Sequence, residues 1–306
     1  MKHYFIINSS SANNRKRKKL FNHILDVCQN EKLDYDIYFT KGPGDAYRYA
    51  REIAEKGDEV RFYGCGGDGT ASELAAAVSH QPNAQFTIIP FGSGNDFIRC
   101  FGTKDDFLDI VSLVYGEPMN IDIVKVNDRC SVNITNIGFD RRVVSAQNKI
   151  KKSKIITGSA AYILGVIVTL FRHKREVLHF DFEDGTEETM RLLLVLFANG
   201  QYYGGGFRAA SGAELDDGYF DTMIVPPIGR LKFLSLVGKF RKGKIMDTEF
   251  GKNEIIYKKC KSISVSRGTP IKYCIDGEIF EANKIDFTID PLASVFVKPA
   301  GGGTAG

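Results

Sequence analysis

The sequence has no CxxC pair. Its six cysteines, Cys28, Cys65, Cys100, Cys130, Cys260 and Cys274, are scattered, which argues against a zinc site or a disulfide framework. It also lacks a long hydrophobic run. The longest, residues 160–171, is shorter than the roughly 20 residues that cross a bilayer, so any membrane contact is expected from outside. No signal peptide precedes the first strand-like stretch, residues 4–8, and a cytoplasmic chain with reduced thiols is expected. Charge of one sign is scarce as well. Lys and Arg number 41 against 37 Asp and Glu, a net +4, too weak to argue for nucleic acid but compatible with a polyanionic nucleotide or an anionic membrane face. The five histidines suggest no common role, and no internal repeat is visible.

What is there is an alternating pattern. Residues 4–8, 34–40, 59–64 and 87–90 read as strands, and residues 14–29, 45–56, 70–79 and 104–115 as helices. Strands alternating with helices of this length predict βαβ units around a parallel sheet. After residue 120 the pattern changes. Strands are expected at 121–126, 130–136, 178–183, 191–199, 219–225, 254–258, 262–266, 271–275, 284–289 and 294–298, with turn signals such as Asp184-Gly185 between them. Two helical patches, 158–172 and 230–241, interrupt. The expected organisation is therefore an α/β domain over 1–123 and a mostly β domain over 124–306, ending in a flexible glycine-rich tail from residue 300.

The strongest chemical signal is Gly64-Cys65-Gly66-Gly67-Asp68-Gly69-Thr70, set between a strand and a helix. Glycines let backbone amides crowd against a phosphate, and the helix that follows turns its positive end toward it. Thr70 suits a helix cap or a phosphate contact. A carboxylate beside phosphates is repelled unless a cation lies between, so Asp68 reads as a Mg²⁺-linked or proton-accepting group. A second loop, Pro90-Phe91-Gly92-Ser93-Gly94-Asn95-Asp96-Phe97, follows the next strand and is expected beside the first, at the carboxyl ends of the parallel strands. Ser93 and Asn95 offer donors to a phosphate or an incoming hydroxyl, and Asp96 offers a cap for a helix at Phe97. Neither loop matches GxxxxGK[ST] or GxGxxG.

The two loops together resemble the diacylglycerol kinase catalytic domain family, which includes bacterial diacylglycerol kinases and sphingosine kinases. GGDGT alone is shared with NAD kinases and phosphofructokinases. Followed about 20 residues later by PFGSGNDF, it is far more specific. Ile7-Asn8-Ser9-Ser10 is similar to the family's opening nucleotide loop, though Asn-Pro is usual there. Thr40 with Gly44-Asp45-Ala46, Asn136-Ile137-Gly138-Phe139-Asp140, Asn199-Gly200, Gly204-Gly205-Gly206, Leu215-Asp216-Asp217-Gly218 and Asp276-Gly277-Glu278 resemble its later motifs.

The resemblance implies an α/β nucleotide domain with a parallel sheet and a C-terminal β-sandwich domain. It implies an ATP-dependent lipid kinase, most simply one that turns diacylglycerol into phosphatidic acid. Gly64, Gly66, Gly67, Gly69, Thr70 and Gly92 would cradle ATP phosphates, while Asn8, Ser10, Thr40, Ser93 and Asn95 would line the nucleotide site. Asp68 would hold the catalytic Mg²⁺. Asp217, with the carbonyls of Glu214 and Tyr219, would hold a second, structural Mg²⁺. Asp276 would be the general base, with Asp68 as its rival.

The residues themselves leave alternatives open. Asp276-Gly277 is a strong hairpin signal in its own right. Asp216-Asp217-Gly218 reads equally as a surface turn. The 160–171 patch reads as a helix packed on the β domain, or as an interfacial helix beside Lys149, Lys151, Lys152, Lys154, Arg172, Lys174 and Arg175. The run Arg15–Lys19 reads as a solvated helix face, or as the source of one cation that reaches a phosphate. A kinase of a soluble substrate such as NAD and a non-catalytic nucleotide or lipid sensor remain the competing functions. A free sheet edge would allow a homodimer.

Overall fold

A computed structural model describes residues 1–9, 14–92, 94–138 and 176–301. The chain divides into two compact units, residues 1–123 with 290–306, and residues 124–289. Ser10, Ser93, Phe139, Asp140 and the whole of the 158–172 patch with its flanking basic residues lie outside the described residues.

The first unit runs β1 (Lys2–Ile7), α1 (Asn14–Asn30), β2 (Tyr35–Phe39), α2 (Asp45–Ala54), β3 (Val60–Gly66), α3 (Asp68–Val78), β4 (Ala84–Pro90) and α4 (Ile110–Val114). Its four strands are parallel in the order β4-β3-β1-β2. Every residue of β3 is buried, as an apolar run at the centre of a parallel sheet requires. Where one helix was expected over 104–115, the structure has a 3₁₀ turn, Asp106–Leu108, and then α4. The break is at Asp109, whose extended backbone ends the turn and whose carboxylate caps α4 through the amides of Val111 and Ser112.

The second unit holds β5 (Glu117–Val126), which starts in the first, then β6 (Arg129–Ser131), β7 (Ile134–Ile137), β8 (Glu176–Phe182), β9 (Glu187–Leu192), β10 (Leu194–Ala198), β11 (Tyr202–Tyr203), β12 (Phe207–Arg208) and β13 (Phe220–Val225). It continues with α5 (Arg230–Arg241), α6 (Glu249–Glu254), β14 (Ile256–Cys260), β15 (Ser262–Ile275) and β16 (Glu278–Lys298). Pairing is antiparallel along β14-β13-β10-β7-β15, and β15 also pairs with β8 and β16. Val195 and Phe197 of β10 enter one core with Phe220, Val265 and Phe287. Leu194, Leu196 and Ala198 enter another with Met223, Val225 and Phe250. Both faces of β10 are thus buried, which explains its unbroken apolar sequence.

Two expectations need correction. Residues 284–289 and 294–298 belong to one strand, β16, bent at Leu292, whose φ is 50°. The end of that strand belongs to the first unit, not to the second domain as expected over 124–306. The cause is Phe296, which lies opposite Phe86 of β4 and stacks on Phe101 at 4.4 Å, with Phe97 and Phe86 edge-on at 5.1 and 5.2 Å. An aromatic ring buried among three others outweighs its place in sequence.

Candidate active site

The first glycine loop forms where β3 passes directly into α3. Gly66 is still strand, Gly67 is the N-cap position, and Asp68 opens the helix. The helix therefore begins two residues earlier than the sequence suggests, and places Asp68 in its electropositive first turn. Asp68 Oδ1 accepts the amides of Asp96 at 2.7 Å and Phe97 at 3.0 Å. A Cβ built on Gly94 would lie 2.7 Å from Asp68 Oδ2, so the second loop needs a glycine opposite the carboxylate.

The two loops meet backbone to backbone. The amides of Phe91 and Gly92 donate to the carbonyl of Gly66 at 2.7 and 2.9 Å, and a Cβ on Gly92 would stand 2.6 Å from the Cα of Gly67. A Cβ on Gly66 would meet Thr70 Oγ1 at 2.1 Å. Thr70 Oγ1 in turn accepts from Asn8 Nδ2 at 3.4 Å, and the Asn8 amide donates to the Cys65 carbonyl at 3.1 Å. Thr40 is buried, with its amide on Ile7 and its hydroxyl accepting from the Ser9 amide at 3.3 Å. Asn8, Thr40, Gly64, Gly66, Gly67, Asp68, Gly69, Thr70, Gly92 and Asn95 thus fall at the ends of β1, β2, β3 and β4. These are the carboxyl ends of parallel strands, where open α/β sheets hold ligands.

Asn95 takes a left-handed backbone, φ 51°, and is buried. Its Nδ2 donates to the Gly92 carbonyl at 3.0 Å, while its Oδ1 has no partner among the described residues. It therefore presents an acceptor here, not the donor that its sequence position suggested. A buried acceptor where the two loops meet, close to Gly67 and Gly92, and a carboxylate bonded to the second loop are the donor types that suit a hard cation or a water bound to one, so Asp68 and Asn95 fit Mg²⁺ in kind. Asp96 does not cap the following 3₁₀ helix with its side chain and instead faces Arg99 at 3.3 Å.

Two further side chains order this region: Glu73, which carried no sequence signal, and Arg17 of the Arg15–Lys19 run, which meets a backbone carbonyl. Glu73 of α3 accepts the amides of Gly44, Ala46 and Tyr47 at 2.9, 3.0 and 3.2 Å, supplying the first turn of α2 with a negative charge. Arg17 of α1 donates to the Ser9 carbonyl at 2.5 Å and holds the loop after β1. Asp45 accepts from the Lys41 amide at 2.7 Å and the Tyr38 hydroxyl at 3.0 Å and pairs with Arg48; the Lys41 amide above all holds its carboxyl below the usual range.

In the second unit, Asp276 and Gly277 form the two-residue turn joining β15 to β16, with φ of 45° and 97°. This is the hairpin that the Asp-Gly pair indicates. The Asp276 carboxylate does more. Its Oδ1 accepts from Ser131 Oγ at 2.8 Å, the Ile134 amide at 2.9 Å and the Asn133 amide at 3.2 Å, and its Oδ2 from the Val132 amide at 2.9 Å. Asn199 closes on the same segment, its Nδ2 on the Val132 carbonyl at 3.1 Å and its amide on Asn133 at 2.8 Å. Asp276, more than 140 residues away in sequence, and Asn199, 67 residues from Val132, thus converge on residues 131–134. Glu278 is exposed at the start of β16.

Asp217 Oδ1 accepts the Tyr219 amide at 3.0 Å, and its Oδ2 forms an ion pair with Lys259. Glu214, Asp217 and Asp221 all raise the pKa of Lys259, with the Asp217 hydrogen bond first among the causes. The carboxylate and carbonyls of Glu214, Asp217 and Tyr219 suit a hard cation in kind, but the cation on Asp217 in this structure is the Lys259 ammonium.

The diacylglycerol kinase catalytic domain matches residues 2–126, and the YegS C-terminal NAD kinase beta sandwich-like domain matches residues 133–296. The chain belongs to the family that pairs the diacylglycerol kinase catalytic domain with this sandwich-like domain. It is 29% identical over 273 residues to a protein named diacylglycerol kinase from Staphylococcus epidermidis, covering 85% of this chain and 82% of that one. It is 26% identical over 275 residues to a probable lipid kinase YegS-like from Alcanivorax borkumensis, covering 89% and 88%. A solved diacylglycerol kinase from Bacillus anthracis superposes with a TM-score of 0.70 at 21% identity, over 97% of this chain and 96% of that one. Another solved chain from that organism gives 0.76 at 24%, over 97% of each. This diacylglycerol kinase family member therefore has the expected class of fold, an α/β unit with a parallel sheet and a β-sandwich-like unit, and it is a lipid kinase by family. Among its described residues, no helix is long and apolar enough to cross a membrane.

Proposed function

We propose that the chain transfers the γ-phosphoryl group of ATP to the free hydroxyl of diacylglycerol, giving phosphatidic acid and ADP. The observation that carries this reading is the pair of interlocked glycine loops with Asp68 held between them, because phosphoryl transfer depends chiefly on positioning and charge neutralisation. The amides of residues 66–70 at the start of α3 would take the phosphate oxygens. Asp68 and Asn95 would hold Mg²⁺, which supplies charge neutralisation for the phosphates when bound. Asn8 and Thr40, with the 40–46 segment ordered by Glu73 and Asp45, would line the nucleoside side, and Ser10 and Ser93 belong to the same proposed set.

The acceptor hydroxyl attacks the γ-phosphorus, its proton passes to a carboxylate, and ADP leaves. Asp276 was the first candidate for that proton. Its four donors favour an anchoring role, and we assign the proton to Glu278, the exposed acid of the same turn. A hydrophobic acceptor is supported by an apolar pocket in the second unit, lined by Leu193, Tyr203, Phe207, Phe233, Phe240 and Phe250 among others. Its lining suits a hydrocarbon chain. A soluble acceptor such as NAD has no use for such a lining.

The test is transfer from labelled ATP with Mg²⁺ into micelles carrying diacylglycerol, a monoacylglycerol, a sphingoid base or a polyprenol. Labelled phosphatidic acid is expected. Label in another lipid alone would overturn diacylglycerol as acceptor, and label in NADP or in nothing would overturn the lipid-kinase reading for this chain.

A further inference from the structure

The helix α5 is apolar on two opposite arcs. Phe233, Leu236, Val237 and Phe240 recur at helical spacing and line the apolar cavity just described. The opposite arc carries Leu231, 84% exposed, and Leu234, 41% exposed, and no described side chain of α5 is fully buried. An isolated surface leucine is ordinary. Two on one turn of a helix, on the arc facing away from the core, are not required by folding.

The charge around them is one-sided. Residues 230–244 contain Arg230, Lys232, Lys239, Arg241, Lys242 and Lys244 and no acid. Lys232 is neutralised by Glu254 at 2.8 Å. Lys239, Arg241, Lys242 and Lys244 have no acidic partner among the described residues. At about 100° per residue, Lys239 and Arg241 flank the arc of Leu231 and Leu234, and Lys242 follows at the C-cap of the helix. Exposed leucines bordered by unneutralised cations are the pattern of a helix lying in a membrane interface, with its apolar residues below the headgroups and its cations among the phosphates.

We propose that α5 is the membrane-docking element of this protein, and that its occupant is an anionic bilayer surface. The arc of Leu231 and Leu234 inserts at the acyl boundary, while Lys239, Arg241, Lys242 and Lys244 bind lipid phosphates. The proposal rests on the lipid-kinase reading for its purpose. A lipid acceptor would leave the bilayer next to the helix that roofs the apolar cavity.

The experiment separates the two claims. The chain has no tryptophan, so Leu231→Trp introduces a single indole reporter. Vesicles of phosphatidylcholine with phosphatidylglycerol are expected to shift its emission to the blue, and brominated acyl chains to quench it. Val177→Trp, at an exposed site on β8, should do neither. In co-sedimentation, the triple change Lys239→Gln, Arg241→Gln, Lys242→Gln should weaken vesicle binding on the order of 100-fold, about fivefold per charge, and salt should weaken the parent protein's binding likewise. Leu231→Gln with Leu234→Gln should weaken it on the order of tenfold. All variants should keep the parent's melting temperature and its turnover of a monomeric short-chain diacylglycerol. An indole that stays in water on anionic vesicles, or vesicle binding unchanged in both sets of variants, would overturn the proposal. So would a concentration-dependent dimer abolished by the leucine changes, which would assign the arc to a second copy of the chain. Absence of turnover beside normal vesicle binding would instead count against the kinase reading and leave the docking surface standing.

Discussion

Asp68 Oδ1 accepts the backbone amide of Asp96 at 2.7 Å, so the acid of the first glycine loop sets the path of the second. The same carboxylate thus serves fold and charge. Asp68→Asn keeps an oxygen for the Asp96 and Phe97 amides and removes only the charge. Turnover is expected to fall by about 100-fold or more, with the melting temperature little changed. Asp68→Ala leaves two amides without an acceptor and should also cost about 2 kcal/mol or more of stability. Kinetics and thermal melts of the two variants side by side check this, and equal turnover in Asp68→Asn and the parent would remove Asp68 from the catalytic set.

Gly92 has no room for a side chain, because a Cβ there would sit 2.6 Å from the Cα of Gly67 and neither backbone can yield cheaply. Gly92→Ala is expected to push the loops apart, lowering nucleotide affinity and stability together, the latter by about 1–3 kcal/mol. Gly268→Ala, where nothing lies within 4 Å, is the control and should melt with the parent. Calorimetric titration with a non-hydrolysable ATP analogue measures the affinity.

Much of this was legible in the sequence because the informative residues act locally. A glycine loop between a strand and a helix needs only its own spacing to be read, and the helix at 230–241 shows in its 3.6-residue period. What stayed hidden acts at long range. Glu73 looked like any acid on a helix, and only the fold shows its three bonds to the start of α2. Phe296 looked like a residue of the β domain until its neighbours were known. Asn95 read as a donor because an amide carries both functions, and the bond to Gly92 decides which one remains. Lys259 lies 42 residues beyond the Asp217 it neutralises, a pairing that no turn motif announces.

Asp276 and Glu278 are two residues apart and should fail in opposite ways. Asp276→Ala strands four donors and leaves alanine at φ 45°, a backbone that asparagine and aspartate tolerate better. A loss of about 3–5 kcal/mol is expected, in the range of a broken buried network. Glu278→Gln should leave the melting temperature alone and lower turnover by roughly 10²–10⁴-fold, the usual contribution of a proton acceptor. If Glu278→Gln turns over normally and a folded Asp276→Asn does not, the proton belongs to Asp276.

Lys259 and a divalent ion compete for one carboxylate. If Asp217 takes Mg²⁺, the ion must displace the ammonium. Lys259→Gln should then raise the melting temperature's response to Mg²⁺ and lower the concentration needed for half of it. Thermal melts across a Mg²⁺ series in parent, Lys259→Gln and Asp217→Asn test this. Identical curves for parent and Lys259→Gln would leave the site to the ion pair alone.

His3 predicts an acid limb of stability. Burial first, and then Arg61 nearby, lower its pKa to about 4, and its Nδ1 lies 2.8 Å from the Tyr63 hydroxyl in the core of the first unit. The unfolded chain takes up this proton near pH 6.5, before the folded one does. As pH falls from 6.5 toward 4, protonation therefore favours the unfolded state, at a cost approaching about 2–3 kcal/mol. Above pH 6.5 the group is neutral in both states and contributes no slope. His3→Gln keeps a polar partner for Tyr63 and does not titrate, so its stability should fall less steeply across that window. Urea melts of both proteins at pH 7, 6, 5 and 4.5 give the comparison, and parallel curves would show that the imidazole is protonated in the fold.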